Sequence, residues 1–324
     1  MKRRLPAVSI AAAVVATAGC SFGDGSSTAG RGAGVTGPSH VLQKDPPRVP
    51  RYVPLPDEEF PNGKRLAARI AQSALTYSRG TTARELARSL PRSSLGAAKF
   101  ARILRPAVDP DSRSAARVIY PQLSGVTTTS LGVMVVVRQA TEDQRGERRA
   151  RTRVVDVRLR RSGGPWSLDA VASVGGIPPR RAGRVSPAAA AVLDSPNIAL
   201  SDSARWDIRR GSVDRALLKA LRKAANGRKL AIGVIRSGHP RNVWDTGRRS
   251  GHSRGAAADI YAVDGRPVIA QREVESSAYR LAAQLFAGRA YQLGSPWLFG
   301  GGGSGSFTDP VHQDHIHLQQ ASTP

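Results

Sequence analysis

The chain of 324 residues contains almost no sulfur: one cysteine and two methionines. The lone Cys20 has no partner for an intramolecular disulfide, and thiolate metal sites of the zinc-finger or iron–sulfur kind are excluded with it. Any metal must be held by histidine and carboxylate. Aromatic residues are scarce at 5%, yet a hydrophobic fraction of 40% still fills a core. At about 150 residues per domain, the length suggests roughly two domains. Long apolar runs are also missing, because the stretch Leu5–Ala18 is too short to span a bilayer. Acidic residues are the remaining shortage: 24 stand against 49 Lys and Arg, for a net charge of +25. Of the basic residues 42 are Arg and 7 Lys, in a chain rich in Ala, Gly and Pro, which is the signature of GC-rich coding. The charge therefore reads as solvated surface composition, and no nucleic-acid partner is expected. Attraction to anionic lipid or wall polymer stays open.

Lys2, Arg3 and Arg4 precede the apolar run, and Thr17-Ala18-Gly19-Cys20 follows it. Charged start, short apolar run and small residues at a cut site form a secretory signal over residues 1–19. The end of the run resembles a bacterial lipobox, which implies lipidation of Cys20 as the mature N-terminus. The expected location is the outer face of the cell membrane, held by a lipid anchor. Residues 20–56 are Gly/Ser-rich and then Pro-rich, without apolar periodicity, and are expected to form a flexible tether.

Residues 57–178 are expected to form an α+β accessory domain. Leu66, Ile70, Ala74, Leu75, Leu86 and Leu90 recur at helical spacing, with a capped helix entry at Thr81–Glu85. Strand-like runs follow at Ala116–Leu123, Thr127–Gln139, Arg151–Arg160 and Trp166–Val174, with a turn at Gly163-Gly164. Helices followed by a curved antiparallel sheet resemble the cone-shaped folds of the SnoaL and nuclear-transport-factor kind. This region has no histidine or cysteine. Its Arg138–Arg161 stretch holds nine Arg against four acids, and reads as a solvated strand face.

Five of the six histidines fall between His239 and His317. The surrounding residues 187–324 read as a small α/β domain. A helix is expected at Val213–Ala225, a strand at Leu230–Ile235, and another strand in the segment that carries Asp259. A second helix over Val274–Gln292 and a last strand over Asp314–Gln319 complete it. Ser250, His252, Gly255, Ala257 and Asp259 fit the pattern S-x-H-x-x-G-x-A-x-D. Gly255 lets the chain turn closely between His252 and Asp259. On a strand, His315 and His317 point to the same face.

These two motifs resemble the LAS group of zinc peptidases, named for lysostaphin, D-alanyl-D-alanine metallopeptidases and sonic hedgehog. The likeness to the D-alanyl-D-alanine carboxypeptidase and dipeptidase branch covers about Pro187–Gln320. The resemblance implies zinc held by His252, Asp259 and His317, with one coordination place left open, as catalytic sites require. It implies hydrolysis of an amide bond in a peptidoglycan stem or cross-link peptide. One carboxylate and two imidazoles suit zinc, with manganese and iron as alternatives. In the D-alanyl-D-alanine branch a Glu three residues before the last ligand is the base, and Asp314 stands there. In lysostaphin-like branches the first His of H-x-H serves, and His315 stands there. Both remain candidates, with strand phase favouring His315. Arg236 occupies the place of a substrate-carboxylate Arg, in competition with Arg241 and Arg248, and Ser250 and His239 are candidate lining residues. The run Gly300–Gly305 is either a mobile lid or a solvated connector. The alternative reading is a non-catalytic lipoprotein that keeps the metal and binds cell wall or serves as a scaffold.

Overall fold

The computed structural model describes residues 43–180, 184–288, 291–301 and 305–320. The signal segment, Cys20 and most of the tether lie outside the described residues, as do Gly302–Ser304 of the glycine run. Three helices open the first half: α1 (Pro61–Leu75), α2 (Ala83–Ser89) and α3 (Ala97–Leu104). Proline at the first position starts α1, and a reciprocal Thr82–Glu85 capping box starts α2. Four strands follow, β1 (Arg113–Val126), β2 (Ser130–Glu142), β3 (Arg148–Arg160) and β4 (Ser167–Ser173), paired antiparallel in sequence order. The helices-then-sheet order expected from the sequence is the observed one, with α3 as an addition. Residues 43–56 contain no helix or strand, yet they do not hang free. Gln72 Nε2 donates to the Pro50 carbonyl at 3.0 Å, and Ser78 Oγ donates to Asp45 Oδ1 at 2.6 Å.

The second half runs α4 (Pro187–Leu193), β5 (Ile198–Leu200), α5 (Asp202–Arg209), α6 (Arg215–Ala224), β6 (Leu230–Val234), β7 (Ala257–Val263) and β8 (Arg266–Pro267). It continues with α7 (Ser277–Ala287), β9 (Tyr291–Gly294), β10 (Ser306–Phe307) and β11 (Ile316–Gln320). Its mixed sheet has the order β10-β9-β11-β7-β6-β5, with β8 on β7. Two sequence expectations need correction. The helix drawn to Gln292 ends at Ala287, because Gly288 caps it and Tyr291–Gly294 pairs with β11 instead. The strand drawn from Asp314 begins at Ile316, since a 3-10 turn over Pro310–Gln313 delivers the chain to it.

Each half has its own apolar core. The two cores are joined by β2, where Val133, Val135 and Val137 face the helices of the first half. Met134 and Val136, on the opposite face, pack with Val154 of β3 and Val234 of β6. Side chains alternate along a strand, so an antiparallel strand that is apolar at consecutive positions must be covered on both sides. The second cover is the histidine-bearing half.

Candidate metal centre

Strand register builds the site. His317 on β11 lies directly opposite Asp259 on β7, and Asp259 in turn pairs with Val234 at the end of β6. Side chains directly opposite each other in an antiparallel pair share a face within contact range. His252 sits in a 3-10 turn just ahead of β7, closed by Gly255 at φ +73°. A Cβ at Gly255 would lie 2.0 Å from the Ser212 carbonyl oxygen, so the turn requires glycine, as its place in the motif suggests.

Three donor atoms converge. His252 Nε2 lies 3.1 Å from His317 Nδ1 and 3.1 Å from Asp259 Oδ1, and His317 Nδ1 is 2.9 Å from the same oxygen. His252 Nδ1 donates to the Ile235 carbonyl at 2.7 Å, which leaves the Nε2 lone pair facing the other two atoms. Three electron-rich atoms at such mutual distances match the edge of a tetrahedron around a zinc ion, about 3.3 Å for ligand bonds near 2.0 Å. The donor set fits a cation. Burial pushes the His317 imidazole down to about 4 against the opposing pull of Asp259, so it is neutral and able to bind metal at ordinary pH. Burial alone would raise the Asp259 carboxyl, but the neighbouring His252 and His315 outweigh it and hold it well below the usual range.

The remaining histidines ring this centre. His239 stacks on His252 with centroids 4.0 Å apart, and its ligand atom is close enough to those of His252 and Asp259 to join them on a metal. His315 is buried, with Nε2 3.8 Å from Asp259 Oδ1 and Nδ1 2.7 Å from Asp314 Oδ1. Burial opposes protonation of His315, yet Asp259 and Asp314 together raise its pKa. His312 is oriented in the same manner, with Nδ1 2.8 Å from Asp309 Oδ1, and its ring lies 5.0 Å from that of His315. The sequence offered no role for His312. With His315 and His317 it forms a second group able to share a metal.

Asp314, one of the two candidate bases, has both carboxylate oxygens engaged. Oδ1 faces His315, while Oδ2 accepts from Lys64 Nζ at 2.5 Å and from the Leu123 backbone N–H at 3.0 Å. Burial would raise this carboxyl, but Lys64 and His315 hold it below the usual range. Lys64 and Leu123 belong to the first half. So does Gln122, whose Nε2 donates to Asp259 Oδ2 at 2.7 Å. These partners come from the region that had shown no chemistry in sequence. Lys64 does lie on the buried stripe of α1 with Ala67, Ala68 and Ala71, a phase signal that was readable.

A cleft of about 560 Å³ opens onto the centre. His239 and Ser250 line it. Arg236 is placed elsewhere: its side chain is exposed and is not part of the lining. Its backbone N–H and that of Ser237 donate to Asp207, which fixes the loop after β6. Arg248, Arg249 and Arg254 line the cleft instead, and the far wall is Leu123–Val126 and Met134 of the first half. Among the described residues no helix is long and apolar enough to cross a membrane. No family model, curated protein or solved structure matches the chain.

Proposed function

We propose that the protein is a zinc peptidase of the LAS type that hydrolyses an amide bond in peptidoglycan stem or cross-link peptides. On this reading its second half has the LAS-type fold and its first half is an accessory domain of the SnoaL-like kind. The observation that carries the reading is the convergence of His252 Nε2, Asp259 Oδ1 and His317 Nδ1 at 2.9–3.1 Å, with His315 beside them at the floor of an open cleft. A zinc ion held by these three residues supplies Lewis-acid polarisation of the scissile carbonyl. His315 is the proton carrier. Asp314 accepts from its Nδ1–H, so Nε2 faces the cleft, where it takes a proton from the attacking water and returns it to the leaving amine. Asp314 is the residue that orients His315. The three cleft arginines offer charge to the carboxylates of a wall peptide.

Export and a diacylglycerol anchor on Cys20 would place this activity beside its polymer. Intact mass of the membrane-extracted chain should then correspond to a start at acylated Cys20. The activity itself is tested by incubating the full chain with purified muropeptides, with and without a chelator. Chelator-sensitive release of D-alanine or opening of a cross-link is the expected result. A metal-loaded chain that leaves every muropeptide intact while still binding cell wall would favour the non-catalytic alternative.

A further inference from the structure

The Asp259 and Asp314 carboxylates of the second half each turn one oxygen toward the histidine cluster, and in both cases the other oxygen is held by the first half. For Asp259 the holder is Gln122, fully buried on β1, whose Nε2 lies 2.7 Å from Oδ2. Its side-chain oxygen has no hydrogen-bond partner among the described residues. With its oxygen unmet, the one hydrogen bond this buried amide makes, to Asp259, is what distinguishes it from an apolar side chain of the same shape. For Asp314 the holder is Lys64, also fully buried, at 2.5 Å from Oδ2. Lys64 is fixed in turn by a short contact to Glu58 and by Tyr120 Oη at 3.3 Å, and Glu58 accepts from the Tyr52 and Tyr120 hydroxyls. A buried cluster of one ammonium and two carboxylates is an expensive way to join two domains, because apolar packing of equal volume does so at lower desolvation cost.

The geometry points to a role for the first half inside the centre: Gln122 and Lys64 are positioning residues, Gln122 for the ligand Asp259 and Lys64 for the Asp314–His315 pair. With Oδ2 held by Gln122, rotation of the Asp259 carboxylate is opposed, and Oδ1 is the oxygen that would be left for a metal. With Asp314 pinned by Lys64 and the Leu123 N–H, His315 keeps Nδ1–H on Asp314 and Nε2 in the cleft. The first half thus completes a site whose ligands all lie in the second. The inference rests on the metal reading above.

Two arms on the full chain test it. In the first, zinc dissociation constants are measured by chelator competition for wild type and Gln122→Leu, with urea midpoints of the metal-free forms alongside. Loss of an outer partner of a ligand weakens metal binding by about 10- to 100-fold, and that loss, measured in the folded chain well below its urea midpoint so that destabilisation by the unpaired Asp259 oxygen is kept apart from it, is the expected result. In the second arm the double variant Lys64→Met/Glu58→Gln avoids leaving two carboxylates unpaired. It should retain zinc, lose at least about 10-fold in kcat with KM little changed, and show mixed His315 tautomers in ¹⁵N imidazole spectra in place of a single Nδ1–H form. Wild-type zinc affinity in Gln122→Leu overturns the role of Gln122, and an unchanged kcat and tautomer in the double variant overturn that of Lys64. Both results would leave the zinc site standing. A wild-type chain that binds no zinc would remove the site and the inference together.

Discussion

Gly255 ties the candidate ligand motif to the backbone physics that makes it possible. Its positive φ and the 2.0 Å approach of a hypothetical Cβ to the Ser212 carbonyl oxygen leave no room for a side chain. Gly255→Ala should lower the stability of the metal-free chain by more than about 1 kcal/mol in urea titration, since it combines left-handed strain with a backbone clash. Zinc affinity should fall with it as His252 moves. Asp156 gives a second test, this one of pH dependence. Burial raises its carboxyl despite the compensating Arg158, so the charged form is less favourable folded than unfolded. A raised folded pKa means stability that is complete below the unfolded value near 3.8 and is lost as pH rises through the folded value. Asp156→Asn should therefore be more stable than wild type at pH 7 and lose that advantage on acidification, read from denaturation midpoints at several pH values. The residues His252, Asp259, His315 and His317 were legible because a spaced motif encodes them locally. Gln122 and Lys64 were not, because a buried polar residue announces its phase on a helix or strand but never its partner in another half of the chain.

At the scale of elements, the loop between β6 and β7 does what no local pattern revealed. Its Trp244 ring lies over β1 and β2, with Nε1 donating to Ser130 Oγ at 3.1 Å, and Arg158 sits 5.7 Å from the ring. The approach is possible because Gly125 and Gly132 stand beneath, where a Cβ would meet the indole at 2.1 and 2.5 Å. Trp244 also lines the cleft. Gly125→Val should expel the indole, which near-UV circular dichroism reports; on the proposed function it should also raise KM for a wall peptide several-fold while zinc stoichiometry stays at the wild-type level. Most helices and strands were readable from periodicity, capping and turns. The misreadings fall where tertiary pairing decides, as at Tyr291–Gly294, which reads as the continuation of a helix until β11 is beside it. The three-residue β5 and the short α4, α5 and α3 are likewise too brief for periodicity to declare.

Across residues 43–320 the continuous apolar run of β2 is the feature that joins the halves, since it faces the first core with one set of side chains and Val234 with the other. That run was visible in the sequence. Its consequence, a cleft with one wall from each half, depends on which surface supplies the second cover. The same packing places Gln122 and Lys64 against the histidine cluster, so the region without histidine becomes part of the site. The proposed function stands on His252, Asp259 and His317 together holding one zinc ion. Native mass spectrometry of the full chain after zinc loading, beside His317→Ala, is the decisive measurement. One zinc per wild-type chain and none in the variant is the expected outcome; full zinc stoichiometry in His317→Ala, or none in wild type, would contradict the three-residue site.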